Sequence, residues 1–374
     1  MIYKKFQDME LSALGLGVMR MPVLDGDNTK IDERTAEEMF DYAMEHGINY
    51  YDTAWMYHGG ESERVIGKLF RKYPRDKYYL ASKFPGFEKE NLGKVKEIFE
   101  KQLEKCGVEY FDFYLFHDVS EHDIDAYLNP EYGILEYLLE QKKNGRIRHL
   151  GFSTHGSLAT MRRFLDAYGK HMEFCQIQLN WLDWSLQNAK AKVELVKSYG
   201  LPVWVMEPVR GGKLAALTAE REARLREMRE ESIPTWAFRF LQGIDGVTVT
   251  LSGMSNMEQL RENIRTFEEE KALNEQERNT LLSMAEEMIK EIAYPCTACR
   301  YCTAGCPMQL DIPALLAMFN KYAFPEDGVA QPLQFEKFDE DKRPSACVGC
   351  RNCEEVCPQG IKISEAMAEF AKKE

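Results

Sequence analysis

Residues 47–67, GINYYDTAWMYHGGESERVIG, contain one complete repeat of this chain's architecture. Ile48 to Tyr51 is a short apolar run of strand type, Asp52 to Gly60 is a polar connection, and Glu61 to Arg71 follows with a helical pattern. Apolar runs and charge-rich amphipathic stretches alternate in this way from residue 14 to about residue 268. Strands are expected at Leu14 to Val18, Ile48 to Tyr51, Tyr78 to Ser82, Phe111 to Phe116, His149 to Phe152, Phe174 to Leu179, Val203 to Met206 and Val247 to Leu251. Helical patterns fall between them at Glu33 to Glu45, Glu61 to Arg71, Asn91 to Lys105, Gly133 to Lys143 and Glu194 to Tyr199. Parallel strands each followed by a helix, in this number, close into a (β/α)8 TIM barrel, an α/β fold whose catalytic groups stand at the C-terminal strand ends.

Polar residues cluster where such a barrel builds its site. Asp52 and Tyr57 follow the second strand, Lys83 the third and His117 the fourth. Each alone has an ordinary reading: Asp52 as a cap, Lys83 as a solvated charge, His117 as a hydrogen-bonded core residue. At the ends of three consecutive strands they form a proton-transfer set. A Lys ammonium held by a carboxylate lowers the pKa of a nearby phenol toward neutrality, and the phenol protonates a carbonyl oxygen as hydride reaches the carbon.

The barrel pattern is followed by a helix from Asn274 to Ile292, and Tyr294-Pro295 marks a boundary. Residues 1–292 form the expected barrel and 293–374 a small α+β ferredoxin-like domain. Eight of the ten cysteines lie in the latter, in two copies of one spacing: Cys296, Cys299, Cys302 and Cys306-Pro307, then Cys347, Cys350, Cys353 and Cys357-Pro358. This is the ligand spacing of paired [4Fe-4S] clusters. Three thiolates on one tight loop grip three corners of a cubane, while the fourth, beside a proline, caps the neighbouring cluster. Crossed ligation follows: Cys296, Cys299, Cys302 and Cys357 on one cluster, Cys347, Cys350, Cys353 and Cys306 on the other. Tetrahedral zinc would leave the third cysteine of each run and the Cys-Pro unexplained. Disulfides need an oxidising compartment, and MIYKKFQDME lacks the apolar core of an export signal, which predicts a cytoplasmic location. Cys106 and Cys175 read as packed core. Between the two motifs lie an apolar helix, Pro313 to Phe319, and a polar, proline-interrupted stretch that is long for a compact loop.

The formal net charge is -13, which disfavours nucleic acid and anionic lipid as partners. Hydrophobic residues make up 44%, enough for a large core, and no apolar run reaches the ~18 residues of a membrane helix. The acidic runs Glu268-Glu269-Glu270 and Asp339-Glu340-Asp341 suit solvated surface, or docking of a basic redox partner.

The 47–67 segment resembles the second-strand signature of the aldo-keto reductases. Lys83, FYLFHD, GFSTHG, QIQLN, VMEPVRGGKL and SGMSNMEQLRENI fall in the order that family uses, so the resemblance spans residues 2 to 290. It implies a catalytic tetrad of Asp52, Tyr57, Lys83 and His117, with Tyr57 as general acid, Lys83 and Asp52 tuning it and His117 orienting the substrate oxygen. It also implies a nicotinamide dinucleotide, NADPH or NADH. Ser153, Gln176 and Asn180 would hold the carboxamide, Arg210, Gly211, Gly212 and Lys213 the pyrophosphate, and Ser255 and Asn256 the adenosine phosphates. Turn or cap chemistry is the ordinary reading of each, and of Ser255 above all. Gly253, Met254 and Gln259 stand where members preferring NADPH often carry Lys, Ser and Arg. Met206 replaces a stacking aromatic, Thr154 replaces an Asn, and Glu207 places a carboxylate beside the expected phosphates, where pairing with Arg210 would relieve it.

Residues after 293 resemble bacterial two-cluster ferredoxins. Two clusters carry two single electrons, the equivalent of one hydride, and a flavin normally bridges one- and two-electron carriers. No flavin motif is visible, although a barrel mouth can hold one without a motif. Three functions are therefore weighed. One is a reductase interconverting a small aldehyde or ketone with its alcohol, its clusters relaying electrons to or from a ferredoxin-like or flavoprotein partner. Another is the same reductase with structural clusters. The third is a nucleotide-binding redox sensor or carrier, which would have no use for Tyr57 and Lys83 together. Trp55, His58 and Trp181 are candidate pocket residues.

Overall fold

The computed structural model describes residues 1–121, 123–291, 294–296, 300–323, 333–357 and 359–374. Ile292 and Ala293, where the sequence boundary falls, lie outside the described residues, as do Cys299 and Pro358. By internal contacts the chain divides into two compact units. The first comprises Met1–Asn180, Ala189–Pro208 and Pro234–Asn274, the second Trp181–Asn188, Val209–Ile233 and Glu275–Glu374.

The first unit opens with an antiparallel hairpin, β1 (Tyr3–Phe6) and β2 (Met9–Ser12), turned at Gln7, whose φ of 53° is left-handed. The sequence pattern misses it because its strands are only four residues long and show no sustained alternation. Then come β3 (Leu14–Gly17), β4 (Tyr50–Asp52), β5 (Tyr79–Phe84), β6 (Phe111–Phe116), β7 (Ile147–Thr154), β8 (Phe174–Gln178), β9 (Val203–Met206) and β10 (Val247–Ser252). These eight parallel strands close into a barrel in the order β10-β3-β4-β5-β6-β7-β8-β9. Every expected strand is present, with ends shifted by up to two residues. Helices Glu33–Glu45, Ser62–Phe70, Val95–Cys106, Ile134–Lys143, Leu158–Tyr168 and Met257–Thr266 connect strands in this unit. The first begins where the Asp32 side chain accepts from Thr35 N, an N-cap satisfying a free helix donor.

Aromatic residues fill the barrel. Phe6 from the hairpin lies edge-on to Trp204 at 5.1 Å and packs with Phe113 and Phe174, so the hairpin seals this core. Gly151 is required beside it, since a Cβ there would stand 2.5 Å from the Phe174 ring.

In the second unit, helices Ile312–Ala323 and Ile363–Phe370 bury Ile312, Leu315, Leu316 and Phe319 against Ile363, Ala366, Met367 and Phe370. Both sets have the i, i+3, i+4 spacing of a helix face. From residue 294 onward the described residues form helices and turns and no strand. Among the described residues no helix is long and apolar enough to cross a membrane.

Candidate functional site

Parallel register brings the polar strand ends together. Asp52 closes β4 opposite Ala81, Lys83 stands one residue from the end of β5 opposite Leu115, and His117 follows β6 directly. Lys83 is fully buried and donates to Asp52 Oδ1 at 2.5 Å, to the Thr53 carbonyl at 2.8 Å and to the Tyr57 hydroxyl at 3.5 Å. The His117 ring lies edge-on to Tyr57 at 6.0 Å and to Phe87 at 5.2 Å. The four residues singled out from the sequence therefore form one cluster.

Burial disfavours every charge in this cluster. It pushes the Asp52 carboxyl up, with Lys83 only partly offsetting it. It also works against the Lys83 ammonium, but Asp52 and Tyr57 outweigh it and the lysine pKa ends above its ordinary value. His117 falls well below the usual histidine value because of burial first, then the nearby Lys83 and His155 charges. Its imidazole is thus neutral. For Tyr57 the sequence expectation is reversed. Burial raises the phenol above 10.0, and Lys83, although it pulls the value down, does not overcome burial. The phenol holds its proton throughout the neutral range, the state a general acid requires.

Further around the barrel, Ser153 lies on β7 opposite Gln176 on β8, and Ser153 Oγ accepts from Asp118 N at 2.9 Å. Gln176 is buried. Its Nε2 reaches only the Met206 sulfur, at 3.7 Å, and its Oε1 has no hydrogen-bond partner among the described residues. Asn180 Nδ2 donates to the Glu207 carbonyl at 3.1 Å. A buried amide oxygen left unpaired is costly, and a ligand carboxamide N–H would satisfy it, so this part of the site fits a nicotinamide. Asn256 Oδ1 caps helix Met257–Thr266 by accepting from Gln259 N, and Ser255 Oγ donates to the Arg20 carbonyl. Asn256 thus has the cap role that was its ordinary reading, while Ser255 instead ties the start of this helix to the connection after β3.

Arg210, Gly211, Gly212 and Lys213 belong to the second unit. Arg210 Nε donates to both oxygens of the buried Asp183 at 3.2 Å, which occupies part of its guanidinium. Arg210, Gly211 and Gly212 have φ of 51°, 65° and 102°, a run of left-handed backbone of the kind that turns N–H groups toward an anion.

Two of the candidate pocket residues are corrected. His58 is buried with both nitrogens engaged: Nε2 accepts from Met21 N at 3.1 Å and Nδ1 donates to the Asn28 carbonyl at 2.7 Å. It ties the connection after β3 to the loop that carries Tyr57. Trp181 is fully buried and belongs to the core. Trp55 is half-buried, with Lys105 Nζ 4.4 Å from its ring centre. Phe87 and Lys105 carried no local sequence signal, because tertiary packing alone brings them here.

The cysteines of the second unit surround two cavities. One is lined by Cys296, Cys302 and Cys357 with Arg300. The other is lined by Cys306, Cys347, Cys350 and Cys353 with Arg351. Sulfur donors grouped in this way, three of the described cysteines on one side and four on the other, fit two cubane clusters. Leu310 N donates to Cys306 Sγ at 3.5 Å, a contact that would help hold a thiolate. Cys106 and Cys175 are fully buried in the first unit, as expected.

Comparison with known proteins agrees with this geometry. The aldo/keto reductase family model matches residues 13–286, and a 4Fe-4S dicluster domain model matches residues 295–361. A probable aldo-keto reductase of Glycine max is 28% identical over 214 residues, covering 55% of this chain and 58% of its own length. The chain thus spans less than two thirds of that relative. The NADH-specific methylglyoxal reductase of Escherichia coli (strain K12) is 25% identical over 305 residues, covering 69% of this chain and 90% of that protein. Among solved structures, a thermostable aldo-keto reductase in complex with the inhibitor epalrestat shares 23% identity with a TM-score of 0.62, over 76% of this chain and 100% of that one. The holo form of an aldo-keto reductase from Bacillus halodurans shares 24% identity with a TM-score of 0.62, over 76% and 96%. These two share the barrel fold.

Proposed function

The chain belongs to the aldo/keto reductase family and carries a 4Fe-4S dicluster domain, and on that premise we propose that it interconverts a small aldehyde or ketone with its alcohol at the Asp52, Tyr57, Lys83, His117 cluster. The observation that carries this reading is the buried Lys83, held by Asp52 and in reach of the Tyr57 hydroxyl, which itself stays protonated. A nicotinamide bound here would be the source of hydride for the carbonyl carbon. His117, neutral through burial, holds the carbonyl oxygen by a hydrogen bond. Tyr57 gives its proton to that oxygen as negative charge gathers there. Lys83 stabilises the phenolate left behind, and Asp52 keeps the ammonium in place. In the opposite direction the Tyr57 phenolate is the base that takes the alcohol proton. Ser153, Gln176 and Asn180 would hold the carboxamide, with Gln176 Oε1 gaining the donor it lacks.

The carbonyl reaction balances with nicotinamide and one proton alone, so the clusters serve a separate task. We assign them one-electron exchange with a partner protein. A flavoprotein is the chemical class that converts a two-electron donor into single electrons. Crossed ligation is supported by the sharing of one cavity by Cys296, Cys302 and Cys357 and of the other by Cys306, Cys347, Cys350 and Cys353.

The test is Tyr57→Phe. It should abolish reduction of 4-nitrobenzaldehyde by NADPH or NADH while nucleotide binding, followed by fluorescence titration, stays near the parental affinity. Parental turnover in this variant would remove Tyr57 as the acid.

A further inference from the structure

Behind the catalytic lysine lies a closed set of buried polar groups that the reaction does not use. Glu63, on helix Ser62–Phe70, is fully buried. Its Oε1 accepts from Ser82 Oγ at 2.7 Å and from Gln102 Nε2 at 2.7 Å, and its Oε2 from Lys105 Nζ at 2.8 Å. Gln102 Nε2 also donates to the Lys83 carbonyl at 3.0 Å, and Gln102 Oε1 accepts from the Tyr114 hydroxyl at 2.5 Å. A buried carboxylate persists only when paired in this way.

Lys105 faces two ways. It neutralises Glu63, and its ammonium lies 4.4 Å from the centre of the Trp55 ring, two residues before Tyr57. The helices meet closely at this point: a Cβ on Gly67 would stand 2.4 Å from the Lys105 carbonyl, so only glycine lets helix Ser62–Phe70 approach helix Val95–Cys106 here. Lys105 cannot drift from Glu63 without exposing a buried charge. Trp55 therefore rests on a fixed cation.

We propose that Lys105 is a positioning residue for the substrate site, tying the Glu63–Gln102–Ser82 cluster behind Lys83 to Trp55 and so fixing the loop that carries both Trp55 and Tyr57. The proposal deepens the carbonyl-reductase reading and rests on it for its kinetic consequence.

Lys105→Met alone would strand the Glu63 charge, so the test uses the neutral pair Glu63→Gln with Lys105→Met, and Lys105→Arg as the conservative variant. Two readouts are taken on the full chain with its clusters. The first is the 19F spectrum of protein labelled with 5-fluorotryptophan, in which Trp55→Phe identifies the Trp55 line. The double variant should shift and broaden that line, and Lys105→Arg should restore it. The second is reduction of 4-nitrobenzaldehyde, where kcat/KM should fall on the order of tenfold or more through KM, with kcat little changed. An unchanged Trp55 line, or an unchanged kcat/KM with a shifted line, overturns the proposal. If the parent enzyme reduces no aldehyde, the carbonyl-reductase reading fails, and the 19F line still decides whether Lys105 fixes Trp55.

Discussion

Replacing Lys83 by Met should produce a protein that loses stability, relative to the parent, more at high pH than at low pH. The Lys83 and Asp52 side chains are 0% and 4% exposed, with Nζ to Oδ1 at 2.5 Å. An exposed pair contributes about 0–1 kcal/mol, whereas removing one partner of a buried pair costs about 3–5 kcal/mol. The geometry places this pair in the second class. Asp52 Oδ2 already lacks a hydrogen-bond partner among the described residues, and the variant also strips Oδ1 and the Thr53 carbonyl of theirs. Without the ammonium, burial acts on Asp52 unopposed and raises its pKa further than in the parent. A carboxyl with a folded pKa above its unfolded value binds a proton more tightly when folded. The contribution to stability is therefore fully present below the unfolded pKa and is lost as pH rises from there through the folded one. Anaerobic urea unfolding followed by tryptophan fluorescence should show Lys83→Met losing about 3–5 kcal/mol at pH 8 and less at pH 5. The neutral pair Lys83→Met with Asp52→Leu should recover most of the loss while remaining inactive. A single variant within about 1 kcal/mol of the parent at pH 8, or a double variant as unstable as the single, would refute the placing of this pair in the low-dielectric interior.

Because burial holds Tyr57 above its ordinary value, carbonyl reduction should stay level through neutral pH and decline only at strongly alkaline pH, while alcohol oxidation rises steadily with pH; a bell centred near 7 in stopped-flow profiles would contradict this. Cys357→Ser should cost the cluster in the cavity shared with Cys296 and Cys302 and spare the one ringed by Cys347, Cys350 and Cys353; electron paramagnetic resonance of the reduced protein should then show one cluster signal, and loss of both or neither would argue against crossed ligation. At the sealed end of the barrel, burial would raise Glu173, but hydrogen bonds from His149, Lys142 and Gln7 prevail and hold its pKa at about 2. Its contribution, on the order of 3 kcal/mol, is complete above about 4.5 and vanishes as pH falls toward 2, so Glu173→Gln should flatten acid unfolding in that window.

The barrel was legible where one face repeats: Phe111–Phe116 and Glu33–Glu45 were located to the residue. The N-terminal hairpin was not, because its strands are four residues long, only Phe6, Leu11 and Ser12 of them are buried, and its turn residue is Gln7 rather than glycine. Asp52, Tyr57, Lys83 and His117 could be named because strand ends concentrate chemistry in this architecture. The sign of the Tyr57 shift could not, since it depends on how much water the fold removes. Gln102 and Lys105 lie on an ordinary amphipathic helix, and their link to Lys83 and Trp55 arises only when that helix packs against Gly67. His58 looked like a pocket residue by its neighbours in sequence, yet its ring is a clasp between two loops.

The most direct test follows the hydrogen. Anaerobic single turnover of 4-nitrobenzaldehyde with NADPH and NADH deuterated at C4, in protein with intact clusters, should place one deuterium on the carbinol carbon and leave the cluster spectra unchanged. Alcohol free of deuterium, formed as the clusters oxidise, would mean that the electrons travel singly, and that the Tyr57 site is not a hydride-transfer centre.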